Sequence, residues 1–371
     1  MKKLVSLILV LVILATTLVG CTTKTAAPAP APAPAPTTPA PAPTPAPAAS
    51  AVAKLGLGQN ISIAKSKDLG VDANGKEVLA QGQVDVTIAA AGFDADGKVV
   101  SVTLDVAQTK IAYDKDLKVT SDKTAEVKTK KDLGADYGMV AASGIKKEWF
   151  EQAGALEEWM IGKTIEEIKG LKLKEGRPDV PELTSSVTVT VEGYIAAVEE
   201  AWTNAVDATG AETVGLGVET HIDKSKDKGV DANGKEVLPV AQADTYMSAT
   251  AFDKDGKVVA TVIDNAQVKI AFDATGKVTA DKAAAPKTKV ELGADYGMGA
   301  ASVIKKEWFE QMAALEDWMA GKSIDEITGL KVKETNPTHK NVPDVAELTS
   351  SVTITVEGYL AVVKEAAANA R

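Results

Sequence analysis

The 371-residue chain carries 41 basic against 51 acidic side chains, a formal net charge of −10, so nucleic acid is not an expected partner. Its single cysteine excludes disulfides, thiolate metal sites, iron–sulfur clusters and covalent haem attachment from the folded part. Its two histidines, His221 and His339, stand apart without neighbours at metal-ligand spacing, so both are expected at the surface and no metal is expected.

At the start of the chain, Lys2 and Lys3 precede an almost unbroken apolar run from Leu4 to Val19, which leads into Leu18-Val19-Gly20-Cys21. This is the pattern of a secretory signal ending in a lipobox. The run is shorter than the ~20 apolar residues a spanning helix needs. Residues 1–20 therefore read as a lipoprotein signal peptide, with Cys21 as the lipidated residue that anchors the chain at the extracellular face of the membrane. Residues 21–52 read as a Pro/Ala-rich linker, since Ala26 to Ser50 is almost wholly Ala, Pro and Thr. Such a segment favours extended polyproline II, at ~3.1 Å per residue a reach of about 70–80 Å.

Two long repeats follow. Lys65-Ser-Lys-Asp68 returns at Lys224–Asp227, Gly70–Leu79 at Gly229–Leu238, Leu133–Met139 at Leu292–Met298, and Lys146–Gln152 at Lys305–Gln311. The register slips only at a polar insertion in the second copy, Thr338–Pro343. A period near 150 residues means tandem domains, 53–207 and 212–371, each large enough to bury a core.

Within the first repeat, Val84, Val86 and Ile88 alternate with polar or small residues, as do Val100, Val102, Leu104 and Val106. These are expected as half-buried strands joined by a turn at Asp94-Ala-Asp-Gly-Lys98. Asp72–Gly75 also reads as a turn; neither has the ligand spacing of a calcium loop. Ile145, Trp149, Gln152, Leu156 and Met160 fall on one helical face. Thr164-Ile-Glu-Glu167 and Ser323-Ile-Asp-Glu326 read as capping boxes. Val191, Ile195, Val198 and Trp202 mark a final helix, matched by Val356, Leu360, Val363 and Ala367. Strands first and helices later indicate α+β, with the helices of each repeat packed on an antiparallel sheet.

Just before each final helix stands the same heptapeptide, Glu-Leu-Thr-Ser-Ser-Val-Thr, at Glu182–Thr188 and Glu347–Thr353. Its Ser and Thr residues suit helix capping, and equally an anion held by the free N–H groups of a helix start. The motif resembles the flavinylation motif of FMN-binding domains: an acid, two free positions, Ser or Thr, Gly, Ala, then the threonine esterified to FMN phosphate. The resemblance places Glu182 and Glu347 at the acid, Ser185 and Ser350 at the serine, and Thr188 and Thr353 at the acceptor. Leu183, Thr184, Ser186 and Val187, with Leu348, Thr349, Ser351 and Val352, complete the cofactor-binding stretch. Glu stands where Asp is usual, Ser186 and Ser351 replace Gly, and Val187 and Val352 replace Ala. In the same family a Gly-containing loop precedes a Trp-bearing helix and helps wall the flavin. Here that implies Gly134, Tyr137, Gly138 and Met139 before Trp149, and Gly293, Tyr296, Gly297 and Met298 before Trp308.

The whole layout is similar to flavinylated surface lipoproteins of Gram-positive extracellular electron transfer. That resemblance implies two covalent FMN groups, attached by a separate flavin transferase. It implies electrons drawn from a membrane quinone/NADH dehydrogenase system and passed to ferric iron or other extracellular acceptors. It also implies a carrier, not a self-contained enzyme with catalytic residues of its own. The chain has no Gly-x-Gly-x-x-Gly fingerprint, so turnover with NADH alone is not expected. The alternative is a non-redox surface-binding or structural lipoprotein of tandem domains.

Overall fold

A computed structural model describes residues 51–337 and 339–371; the signal, Cys21 and most of the linker lie outside the described residues. In the first repeat, β1 (Val52–Ser62), β2 (Gln81–Phe93) and β3 (Val99–Ala112) form an antiparallel meander. Then come α1 (Trp149–Met160), α2 (Glu192–Thr203) and β4 (Val206–Ala211), which pairs back on β1 to give the order β3-β2-β1-β4. The second repeat gives β5 (Thr213–His221), β6 (Val240–Phe252) and β7 (Val258–Ala271) in the order β7-β6-β5, followed by α3 (Trp308–Met319) and α4 (Glu357–Ala368). The class is α+β, with antiparallel sheets and helices packed on them. Among the described residues no helix is long and apolar enough to cross a membrane.

Local chemistry sets these elements as the turn and cap residues predict. Asp94 Oδ1 accepts from the amides of Asp96 and Lys98, closing the β2–β3 turn, and Asp72 does the same for Asn74 and Lys76. Thr164 with Glu167, and Ser323 with Glu326, form reciprocal capping boxes.

The two repeats share one compact unit. Leu55, Val86, Ile88 and Ile111 from the first join Leu216, Met247, Val268 and Ile270 from the second in one core between the sheets. Tyr113 meets its counterpart Phe272 there, with ring centroids 5.2 Å apart. Contacts between the repeats come in matched pairs. The Leu69 amide donates to the Gly276 carbonyl at 2.9 Å, and the Lys228 amide to the Leu117 carbonyl at 3.0 Å. Asp68 accepts from the Val278 amide, and Asp227 from the Val119 amide. The unit is therefore layered helix, sheet, sheet, helix, with the helices outermost.

The strands are consequently covered on both faces, not half-buried. Val84, Val86 and Ile88 face the shared core, while Ala89, Ala91, Phe93, Val102, Leu104 and Val106 face the helices. On the helix side of β1 the residues are Gly56 and Gly58. A Cβ there would sit 1.9 Å from the Ala201 carbonyl oxygen and 2.0 Å from that of Ala197. Gly215 and Gly217 stand in the same relation to Ala366 and Val362, at 1.8 Å each. The last helix of each repeat thus lies directly on strand backbone, a packing that only glycine admits.

Candidate functional site

Each heptapeptide is pinned to the Trp-bearing helix by a buried glutamine. In the first repeat, Gln152 of α1 accepts the Thr188 amide at 2.8 Å and the Thr188 hydroxyl at 3.2 Å through the same Oε1. In the second, Gln311 of α3 accepts from Thr353 at 2.9 and 3.2 Å. Both glutamines are fully buried, and their amide nitrogens are spent on Ser143 Oγ and the Lys147 carbonyl, or Ser302 Oγ and the Lys306 carbonyl. That network fixes the carbonyl toward the threonine and the threonine's backbone in turn. The helix start does not hold this amide. The final helix begins at Glu192 with Val191 in the cap position, and its first turn carries a carboxylate of its own. Sequence reasoning placed Gln152 on the buried face of its helix and missed its role, because the contact spans 36 positions in the chain.

The neighbouring motif residues divide between core and surface. Leu183, Val187, Leu348 and Val352 are buried in the helix-side cores. Glu182, Thr184, Ser185, Glu347, Thr349 and Ser350 are exposed. The hydroxyls of Ser186 and Ser351 donate to the Leu183 and Leu348 carbonyls, so these serines close their own turns.

In the second repeat the threonine opens on a cavity of about 560 Å³. Thr349, Val352 and Thr353 of the motif line it, and so does Met298 of the Gly-containing loop. Its other walls include Val303, Val342 and Ile354, with Lys333, Asn336 and His339 at the polar side. His339, expected at the surface, is exposed and also lines this cavity. The volume falls within the ~300–1,000 Å³ of small-molecule sites, and apolar walls with a few polar groups are their usual composition. A hydroxyl, apolar surface and one lysine, paired with Asp344, around one cavity fit a phosphate-bearing aromatic group attached at Thr353.

Neither Tyr137 nor Tyr296 is among the residues lining that cavity. Each is half-buried with a lysine over its face, Lys130 at 4.9 Å and Lys289 at 5.1 Å. The same lysines reach the Trp149 and Trp308 rings at 5.5 and 5.2 Å. Burial pushes both ammonium groups down to about 8. Trp149 and Trp308 are buried and donate to the hydroxyls of Tyr194 and Tyr359. Gly138 and Gly297, at φ 74° and 76°, end the short 3-10 turns that carry the tyrosines. Among the described residues no group of His, Cys, Asp or Glu is arranged to hold a metal.

No protein-family profile matches the chain, and no solved structure matches it. A chlorophenol reductase of Desulfitobacterium hafniense is 30% identical over 168 residues, covering 40% of this chain and 51% of the relative. The chain thus spans about half the length of the curated relative it matches.

Proposed function

We propose that this chain is an extracellular, lipid-anchored electron carrier with two FMN groups esterified to Thr188 and Thr353, loaded by a flavin transferase. It passes electrons from a membrane quinone/NADH dehydrogenase system to ferric iron or other extracellular acceptors. The observation that carries this reading is the cavity that Thr353 shares with Met298, with the acceptor threonine held identically in both repeats. FMN, when bound, supplies exchange of one or two electrons. The chain's part is positioning. Gln152 and Gln311 fix the threonine backbones by accepting hydrogen bonds from the Thr188 and Thr353 amides, which esterification of the hydroxyl leaves intact. Val342, Ile354 and Met298 offer apolar surface to a ring, and Lys333, paired with Asp344, offers positive charge near a phosphate. Cys21 supplies the lipid anchor, and the Pro/Ala linker supplies reach from the membrane. A redox role is compatible with the reductase name of the relative, whose substrate is not carried over.

Replacing Thr188 or Thr353 with Val, in protein made together with a flavin transferase, should each remove one FMN from the intact mass. Each should also remove about half of the flavin absorbance, and the double variant should be colourless and folded. Both flavins persisting in the double variant would contradict the assignment.

A further inference from the structure

The two heptapeptide sites are not equivalent, and the difference lies in one hairpin. In the first repeat, Leu173–Lys174 pairs with Arg177–Pro178 across a two-residue turn, Glu175 at φ 52° and Gly176 at φ 75°. In the second, Val332–Lys333 pairs with Val342–Pro343, and six more residues stand between them. The added segment is turned back on itself: the Thr335 amide donates to the His339 carbonyl, and the His339 amide to the Asn336 carbonyl. Thr335, Asn336 and His339 all line the cavity at Thr353. Two substitutions act in the same direction. Val303 and Val342, both lining that cavity, correspond to Gly144 and Arg177 in the first repeat.

We infer that the enlarged hairpin is a second-repeat wall that shields whatever group is attached to Thr353, while the group at Thr188 stays open to solvent. This rests on the flavin reading above. The occupant of the walled site is the phosphate-linked aromatic ring, and the open site is the one that soluble acceptors reach directly. Polar surface at the rim explains why the insertion is hydrophilic: its outer side meets water, and its inner side adds Asn and His to a largely apolar wall.

The test uses single-flavin proteins: Thr353→Val, loaded at Thr188, and Thr188→Val, loaded at Thr353, each checked by intact mass. Quenching of flavin fluorescence by iodide should be about threefold weaker for the Thr353-linked flavin, as expected for a group withdrawn from water. Deleting residues 335–340 in the Thr188→Val protein, which joins Glu334 to Asn341 and restores a two-residue turn, should raise quenching to the level of the Thr188 site. Equal quenching in the two single-flavin proteins, or no change on deletion, would overturn the inference while leaving the flavin reading standing. Absence of flavin from both proteins would overturn the two together.

Discussion

Replacing Gly215 with Ala should destabilise the folded unit by about 3 kcal/mol or more, the upper range for overpacking a site that cannot relax cheaply. The new Cβ would lie 1.8 Å from the Ala366 carbonyl oxygen and 2.7 Å from its carbon, so the backbone of α4 must move. Gly217→Ala should behave alike, against Val362. The damage reaches the site, since α4 follows directly on the Thr353 segment. Gly154→Ala is the control. It lies within α1 with nothing within 4 Å of the new Cβ and should gain about 0.5–1 kcal/mol from helix propensity. Denaturant unfolding would measure all three; Gly215→Ala within about 1 kcal/mol of the parent would contradict the close seating of the helix.

Glu316→Gln should stabilise the protein in alkaline solution and leave it unchanged near pH 4. Glu316 of α3 accepts the Ile263 amide at 2.7 Å, and among the described residues no cation pairs with it. Burial, with the charges of Asp264 and Asp317, pushes its carboxyl up to about 8. A carboxyl held above its unfolded value contributes full stability where both states are protonated. That contribution is lost as pH rises from the ordinary carboxylate range through about 8. Removing the charge should therefore gain about 2 kcal/mol at pH 8–9, after allowance for partial exposure. Its counterpart Glu157 occupies the same position in the first repeat and should respond oppositely. Glu157 accepts the Leu104 amide and pairs with Lys131 and Arg371, at 2.7 and 2.5 Å. Lys131 is replaced by Val290 in the second repeat, which is why Glu316 has no such partner. Glu157→Gln should lower stability across neutral pH. Thermal melts from pH 4 to 9 would show the contrast; parallel curves for the two variants would contradict it.

Much of this architecture was legible in the chain. Alternation of Val84, Val86 and Ile88, the Asp-Ala-Asp-Gly turn and the Thr164 and Ser323 caps are local signals, and each element forms where they stand. The joining of the repeats was not legible. It depends on small residues, with Gly82 against Ala241 between the sheets and Gly56 and Gly58 beneath α2, and such residues leave no apolar periodicity. Each of β2 and β3 therefore read as covered on one face only, although the other repeat's sheet covers one face and the helices the other. At the candidate site, the heptapeptides and the Met298 loop were named from sequence, and in the second repeat Thr353 and Met298 line one cavity. The glutamine that orients each threonine was not, because a buried amide on an amphipathic helix looks like any other core position. The hairpin wall was visible only as a polar insertion, since nothing local to it shows which surface it covers. Tyr137 and Tyr296 were expected beside a ring; the lysine that stands over each of them, Lys130 or Lys289, was not read from the sequence.

The central claim is that both threonines carry flavin. Its most direct test is the intact mass and visible spectrum of the mature chain, produced in a host with a flavin transferase and in one without. The account predicts two FMN additions and a flavin absorption band only when the transferase is present. An unmodified mass and a colourless protein in both hosts would contradict it.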